Sequence, residues 1–519
     1  MKSERTKNAS RNIVFGTLLK LYQIFFPFLI RTVMIYFLGV EYVGLNSLFG
    51  SVLQVLNLAE LGVGSAMIFS MYKPISEDDT VTICALMRLY KIYYRIIGFV
   101  ILGLGLLLLP FIPRLINGAV PDNLNVYTLY LLNLGATVFS YWLFAYKNCL
   151  LTAYQRVDVI SKIQLVTSTI QYTLQIIAII FIKDYYVFLL IALLIQIINN
   201  VMTAKKSDKM YPSCKAVGAL DSEYVRQINQ RVKDLFTAKI GGVIVNSVDS
   251  IVISAFLGLT ALAIYQNYFY ILTAIIGFLT VIYKSCLASI GNSIVTENVE
   301  KNYQDFKKIS FICFWLFGIC IVCFLCLSQP FMEIWVGKEL LLSFGMIVLF
   351  CVYFYAYELM NLFSMYKDAA GIWHQDRYRP LIEAGCNLFM NLIFVNFMGL
   401  YGILLSTILS MLCVSLPWLY RNLFKYVFKR KSRDYTVLLL KSTVVIAVVS
   451  VGTCFCCMNL PNHSVLSFVF RMLICVLLSN TCYIFIFSRF YEFGDVFSLI
   501  NRVLHGRINF LKLILKIEE

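Results

Sequence analysis

An all-α integral membrane protein of about fourteen transmembrane helices is the fold class this sequence predicts, and three observations predict it. The first is composition. Of 519 residues, 60% are hydrophobic and only 14% are charged, against about 25% charged in an ordinary soluble chain. The second is that apolar runs near bilayer length follow one another almost from end to end. A hydrocarbon core of about 30 Å takes about 20 apolar residues per helix. Lipid offers no hydrogen bonds, so a spanning segment is a helix or part of a closed barrel. The runs lack the period-2 alternation of a barrel. The third is an alternation of basic charge between successive loops.

The runs fall at 13–38, 44–71, 95–112, 125–146, 163–182, 186–204, 235–257, 263–287, 309–328, 343–366, 381–397, 401–420, 436–457 and 464–487. The first follows Lys2, Arg5, Lys7 and Arg11, is too long for a signal-peptide core and lacks a clear cleavage site, so it stays as a span. The second carries Asn57, Glu60 and Gly64 on one helical face. Before the third, Arg88, Lys91 and Arg95 stand among Tyr90, Tyr93 and Tyr94, a basic aromatic face read as a headgroup anchor. The fifth has a polar stripe of Gln164, Ser168, Gln171 and Gln175. After the sixth comes the largest basic segment, 205–234. The ninth holds Cys320, Cys323 and Cys326. Embedded in apolar sequence, the 16 cysteines read as packing residues, and no metal site or disulfide framework is expected. At 496–515 an apolar stripe at helical spacing predicts an amphipathic helix on the membrane surface.

The net charge of +16 would suggest nucleic acid in a soluble protein, but here its location matters more, and no nucleic-acid partner is expected. Of the 44 lysines and arginines, only Arg114, Lys183 and Lys338 fall on one set of alternate loops, and Lys20, Arg31, Lys239, Lys441 and Arg471 fall within spans. The rest lie on the other set, counting Arg95 and Lys284, which stand at the ends of the third and eighth runs. That bias predicts cytoplasmic N- and C-termini. The expected domains are a six-helix bundle over 1–204, a cytoplasmic linker over 205–234, a second six-helix bundle over 235–420, two additional spans over 421–487 and a cytoplasmic amphipathic tail over 488–519. Phe37-Leu38-Gly39 ends the first run and Phe256-Leu257-Gly258 ends the seventh, as a parallel repeat would.

Charges inside the bilayer cost about 3 kcal/mol on insertion scales and call for an explanation. Lys20 and Arg31 lie about three helical turns apart on a face shared with Pro27. They either snorkel to the two interfaces or face a cavity. Glu60 and Asp249 are too short and too deep to snorkel. Lys239, Asn246 and Asp249 share a sector of the seventh span near Gly241-Gly242, so an ion pair with Lys239 is the alternative to a cavity role. Gln164, Gln171 and Gln175 suit either interhelix hydrogen bonds or sugar hydroxyls. Glu358 lies in the tenth span, while Glu383, close to Arg377 and Arg379, reads as an ion-pair residue. The simplest arrangement gathers these polar faces around one hydrated chamber, where cations hold a phosphate or pyrophosphate and amides hold sugars.

Gly44–Pro74, GLNSLFGSVLQVLNLAELGVGSAMIFSMYKP, resembles the start of Wzx-type polysaccharide flippases, in the polysaccharide-biosynthesis branch of the multidrug/oligosaccharidyl-lipid/polysaccharide (MOP) transporter superfamily. Within Gly371–Ser410, Asp376-Arg377-Tyr378-Arg379-Pro380, Glu383, Asn387, Gly399, Gly402, Thr407 and Ser410 resemble that family's eleventh and twelfth spans with the preceding loop. The resemblance implies a V of two bundles plus two extra helices in a bacterial cytoplasmic membrane. It implies alternating access for an undecaprenyl-pyrophosphate-linked oligosaccharide, serving O-antigen, capsule or exopolysaccharide synthesis. Membrane lipids and other polysaccharide-assembly proteins are the further partners it suggests. No bound cofactor is implied; coupling to membrane potential or to H+ or Na+ is. Glu60, inside the first matched stretch, is the first candidate for a protonatable or gating residue.

The rivals are a lipid II flippase and a small-molecule or drug antiporter of the same superfamily. A polytopic polymerase or ligase is a further alternative. Such enzymes need a sizeable extracytoplasmic loop with acid/base residues, and here the outside loops are short, with His463 their one histidine. The chain therefore reads as a transporter and not as an enzyme.

Overall fold

The structure is a computed structural model that describes residues 2–118, 120–458 and 465–503, with side chains undescribed at 2–10, Ile13, Ala238, Lys239, Asn246 and 499–503. It is all helical among the described residues, in chain order α1 (Lys2–Phe37), α2 (Val40–Leu56), α3 (Val63–Ser76), α4 (Thr80–Leu108), α5 (Val126–Trp142), α6 (Tyr146–Ala153), α7 (Val157–Ile177), α8 (Tyr185–Met210), α9 (Ser222–Leu257) and α10 (Leu259–Thr296). There follow α11 (Val299–Val336), α12 (Phe344–Ala369), α13 (Trp373–Asp376), α14 (Arg379–Met398), α15 (Leu400–Ser410), α16 (Leu416–Asn422), α17 (Arg433–Met458), α18 (Val465–Phe487) and α19 (Tyr491–Val503). Among the described residues, thirteen stretches are long and apolar enough to cross a membrane, and the bent pair α5–α6, taken as one span, makes a fourteenth. They correspond one for one with the runs read from the sequence.

Two compact units result: Met1–Ala263 with Asn391–Leu400, and Ile264–Met390 with Tyr401–Glu519. In the first, α1 packs on α7, α7 and α5 on α8, and α9 on α2 and α3. The packing of α9 brings the seventh span into this unit, so compactness divides the chain at Ala263 and not within 205–234. Nor is 205–234 a free linker. α8 runs to Met210, α9 starts at Ser222, and between them Arg88 Nη1 donates to Gly218 O at 2.7 Å. In the second unit α11 is the hub for α12, α17, α18 and α19.

The turns repeat. Gly39 (φ 125°) separates the first span from the second, and Gly258 (φ 90°) separates the seventh from the eighth. Lys183 after the fifth span and Gly399 after the eleventh both take φ 55°. This supports the repeat suggested by the two Phe-Leu-Gly sequences. Gly44 is needed for another reason: a Cβ there would strike the backbone carbonyl of Leu259.

Three expectations need correction. The second span is interrupted: α2 ends at Leu56, a 3-10 turn covers Asn57–Glu60, and Gly62 takes φ 89° before α3. Tyr90 and Tyr94 are buried against protein instead of facing headgroups. The described part of the tail, α19, buries Phe493, Val496 and Phe497 and pairs Lys307 with Glu492 (3.4 Å) and Lys308 with Asp495 (3.1 Å). Val496, the residue of the predicted apolar stripe whose side chain is described, meets protein instead of lipid; the side chains of 499–503, the residues 504–519 and His463 lie outside the described residues.

Candidate functional site

Two of the spans in the first unit are broken, and the breaks meet. In the second span the interruption falls at 57–62, where Gly62 admits α9 so closely that an added Cβ would lie 2.7 Å from Leu235 Cβ and 3.0 Å from Val232 O. In the fourth span α5 and α6 are bent by 51°, and Phe144 adopts φ 61°. A positive φ is uncommon for a bulky residue and stores strain. Interrupted backbone at membrane depth leaves amides and carbonyls that must find partners or line a wet cavity.

Around the two breaks stands a polar cluster. The Tyr141 hydroxyl donates to Asn57 Oδ1 (3.2 Å), the Tyr94 hydroxyl donates to Glu60 Oε1 (3.1 Å), and the Tyr90 hydroxyl donates to the Tyr94 oxygen (2.5 Å). The Tyr94 and Tyr141 rings meet edge to face, centroids 5.4 Å apart. Gly64 closes the cluster: a Cβ there would lie 3.1 Å from Glu60 Oε1 and 3.2 Å from the Tyr90 oxygen. So Asn57, Glu60 and Gly64 share a site as expected, though the helix between them is broken. The neighbouring Trp142 lies over Gly98, its indole Nε1 donating to Arg95 O at 3.2 Å.

The three tyrosines were missed by sequence reasoning. Tyr90 and Tyr94 are four apart and therefore share one helix face, which was the available signal. Tyr141 became recognisable only when the fold brought α5 to Asn57.

The other candidates divide. Lys20 is exposed on α1. Arg31 is half-buried, its Nη2 donating to Ala263 O at 3.4 Å. Pro27 lies within α1 without ending it. Gln175 is buried and donates to Phe188 O (3.1 Å), while Gln171 donates to Gln175 Oε1 (3.4 Å). That end of the glutamine stripe binds α7 to α8, and Gln164 is half-buried near its other end. Asp249 accepts from the buried amide of Asn391 at 2.6 Å. The side chains of Lys239 and Asn246 lie outside the described residues.

The second unit holds two further polar sites. Glu358, fully buried, accepts from the Tyr283 hydroxyl (2.7 Å) and from Asn361 Nδ2 (3.5 Å). Arg379 donates from Nε and Nη2 to the two oxygens of Asp376 (2.7 and 3.1 Å), and from Nη1 to Glu383 Oε2 (3.2 Å) and Ser415 Oγ (2.9 Å). Lys367 adds a second cation at 3.2 Å from Asp376. Ser415 ends a stretch of π-helix, Met411–Ser415, a local widening often found at functional sites. The ion-pair reading of Glu383 holds. Beside these, an apolar groove along α11, α12 and α17 is lined by Leu325, Val348, Val352, Ala447, Val451 and Phe455 among others.

No protein-family model matches the sequence, and no curated protein matches it. Among solved structures, the chain is similar to one described as "Lipid II flippase MurJ, inward closed conformation". The identity is 16%, with 92% of this chain and 99% of that one covered, at a TM-score of 0.65. It is also similar to an inward-facing multidrug resistance MATE family transporter of the MOP superfamily: 15% identity, 78% and 94% covered, TM-score 0.57. The outward-facing conformation of such a transporter gives 16% identity, 81% and 94% covered, and a TM-score of 0.50. At these identities the likeness is one of fold. The chain is a multi-pass membrane protein with the fold of MOP-superfamily transporters.

Proposed function

We propose that this protein is a Wzx-type flippase that moves an undecaprenyl-pyrophosphate-linked oligosaccharide across a bacterial cytoplasmic membrane by alternating access. The observation that carries a lipid-linked substrate over a free small molecule is the extent of the fold match. The lipid II flippase structure covers 92% of this chain, whereas the two multidrug transporters cover 78% and 81%. The groove along α11, α12 and α17 supports the same reading, because it offers an apolar track for an isoprenoid tail.

The Asn57–Glu60–Tyr90–Tyr94–Tyr141 cluster offers hydroxyl, amide and carboxylate groups suited to sugar hydroxyls, and helix breaks are where transporters of other folds bind their substrates. Glu60 is the proposed coupling residue, carrying H+ or Na+. Potential alone supplies about 2.3 kcal/mol per charge per 100 mV. The alternation of basic loops supports cytoplasmic N- and C-termini. The resemblance at Gly44–Pro74 and Gly371–Ser410 favours a polysaccharide repeat unit; the flippase match favours lipid II as the second reading.

Deleting the gene tests the choice. The polysaccharide reading expects loss of the surface polymer, with the lipid-linked repeat unit accumulating unpolymerised while peptidoglycan synthesis continues. Arrest of peptidoglycan synthesis instead would transfer the assignment to lipid II.

A further inference from the structure

Three cysteines distant in sequence converge in the second unit. Cys326 of α11, Cys457 of α17 and Cys475 of α18 are all buried, and their sulfurs lie within 4.8 Å of one another. The Cys457 and Cys475 sulfurs are 3.6 Å apart. Three thiolates bound at about 2.3 Å to one ion hold their sulfurs about 3.8 Å apart, so small side-chain shifts would close the triad on a metal.

We propose that Cys326, Cys457 and Cys475 bind a single thiophilic divalent cation of the Zn2+ or Cd2+ class, which pins α17 and α18 to α11.

Charge in the hydrocarbon region decides the stoichiometry. Three thiolates on a divalent ion carry one net negative charge. Arg471 is buried on α18, one turn before Cys475, and supplies one positive charge. The assembly is then neutral, which suits a region where an isolated charge is costly. Cys454, one turn before Cys457 and beside Cys326, is buried too. Binding moves no electrons: three S–H bonds break, three S–metal bonds form, and three protons leave to water.

A disulfide between Cys457 and Cys475 is the competing use of these sulfurs. It would leave Cys326 without a part and need an oxidant. Of Cys320, Cys323 and Cys326 in the ninth span, Cys326 joins the triad, and its partners come from α17 and α18. The inference is independent of the flippase assignment.

The test uses the full chain, reduced, stripped of metal with a chelator and held in detergent. Titration with Cd2+ is expected to give a near-ultraviolet thiolate-to-cadmium charge-transfer band saturating at one equivalent. C475S and C326S should each weaken binding at least tenfold, and C413S, at an exposed cysteine, should leave it unchanged. Zn2+ should raise the unfolding temperature of the wild type and not of C475S. No band in the wild-type protein would overturn the proposal even if the variants failed to fold. So would a band unchanged in both variants, or a Cys457–Cys475 disulfide in the isolated protein.

Discussion

The Tyr141 hydroxyl donates to Asn57 Oδ1 over 3.2 Å, and this one bond joins the break in the fourth span to the break in the second. Each break by itself is a local fault in a helix. Joined, they meet at a point held by side-chain hydrogen bonds rather than by a continuous backbone ladder. Side-chain bonds can be exchanged for bonds to sugar hydroxyls at little cost, because a typical protein hydrogen bond has a net worth of about 1 kcal/mol.

Tyr141→Phe removes that bond and leaves the ring. About 1 kcal/mol of differential stability between two transport states corresponds to roughly a fivefold change in rate. Transport by Y141F is expected to fall by about that factor at unchanged protein level. Wild-type transport in Y141F would show that the bond is the same in both states.

Glu60→Gln keeps the acceptor for Tyr94 and removes the charge. The expected result is transport whose dependence on pH or Na+ is flattened, in a protein that still folds. An unaltered ion dependence would remove Glu60 from the coupling role and direct attention to Glu358.

Gly98→Ala would push a methyl group into the Trp142 indole. Overpacking of this kind costs about 1–3 kcal/mol, and displacing Trp142 also breaks its bond to Arg95 O. The unfolding temperature in detergent should drop measurably; an unchanged value would mean that Trp142 moves aside freely.

Arg379 is 7% exposed and bridges two buried carboxylates. Arg379→Ala leaves Asp376 and Glu383 without it, a loss of about 3–5 kcal/mol for a broken buried pair. Arg379→Lys keeps the charge but loses the two-pronged grip on Asp376. Unfolding temperatures are expected in the order wild type, R379K, R379A. Equal values for R379A and the wild type would mean that Lys367 alone satisfies the site.

Hydrophobic run length revealed the number and order of the spans, because lipid imposes the same requirement on every segment. The Arg379–Glu383 pair was legible because its partners are four residues apart on one helix. The break at 57–62 was not, since hydropathy does not register a change in backbone dihedral and no proline marks it. Gly62 was its local trace, but its requirement comes from the close approach of Leu235 and Val232. Tyr90 and Tyr94 were assigned to headgroups because tyrosine beside arginine is the ordinary interfacial pattern. Only the third dimension shows that their face turns to Glu60. Cys326, Cys457 and Cys475 share no local spacing, so no reading along the chain could bring them together.

The central claim is tested most directly by leaflet accessibility in proteoliposomes. Undecaprenyl-pyrophosphate-linked oligosaccharide is placed in one leaflet, a membrane potential is applied, and the fraction reached by a membrane-impermeant sugar oxidant on the other side is followed over time. The account predicts a steady rise above protein-free vesicles, several-fold slower with Asn57→Ala. No rise above protein-free vesicles, with lipid II or a cationic dye moved by the same preparation, would contradict it.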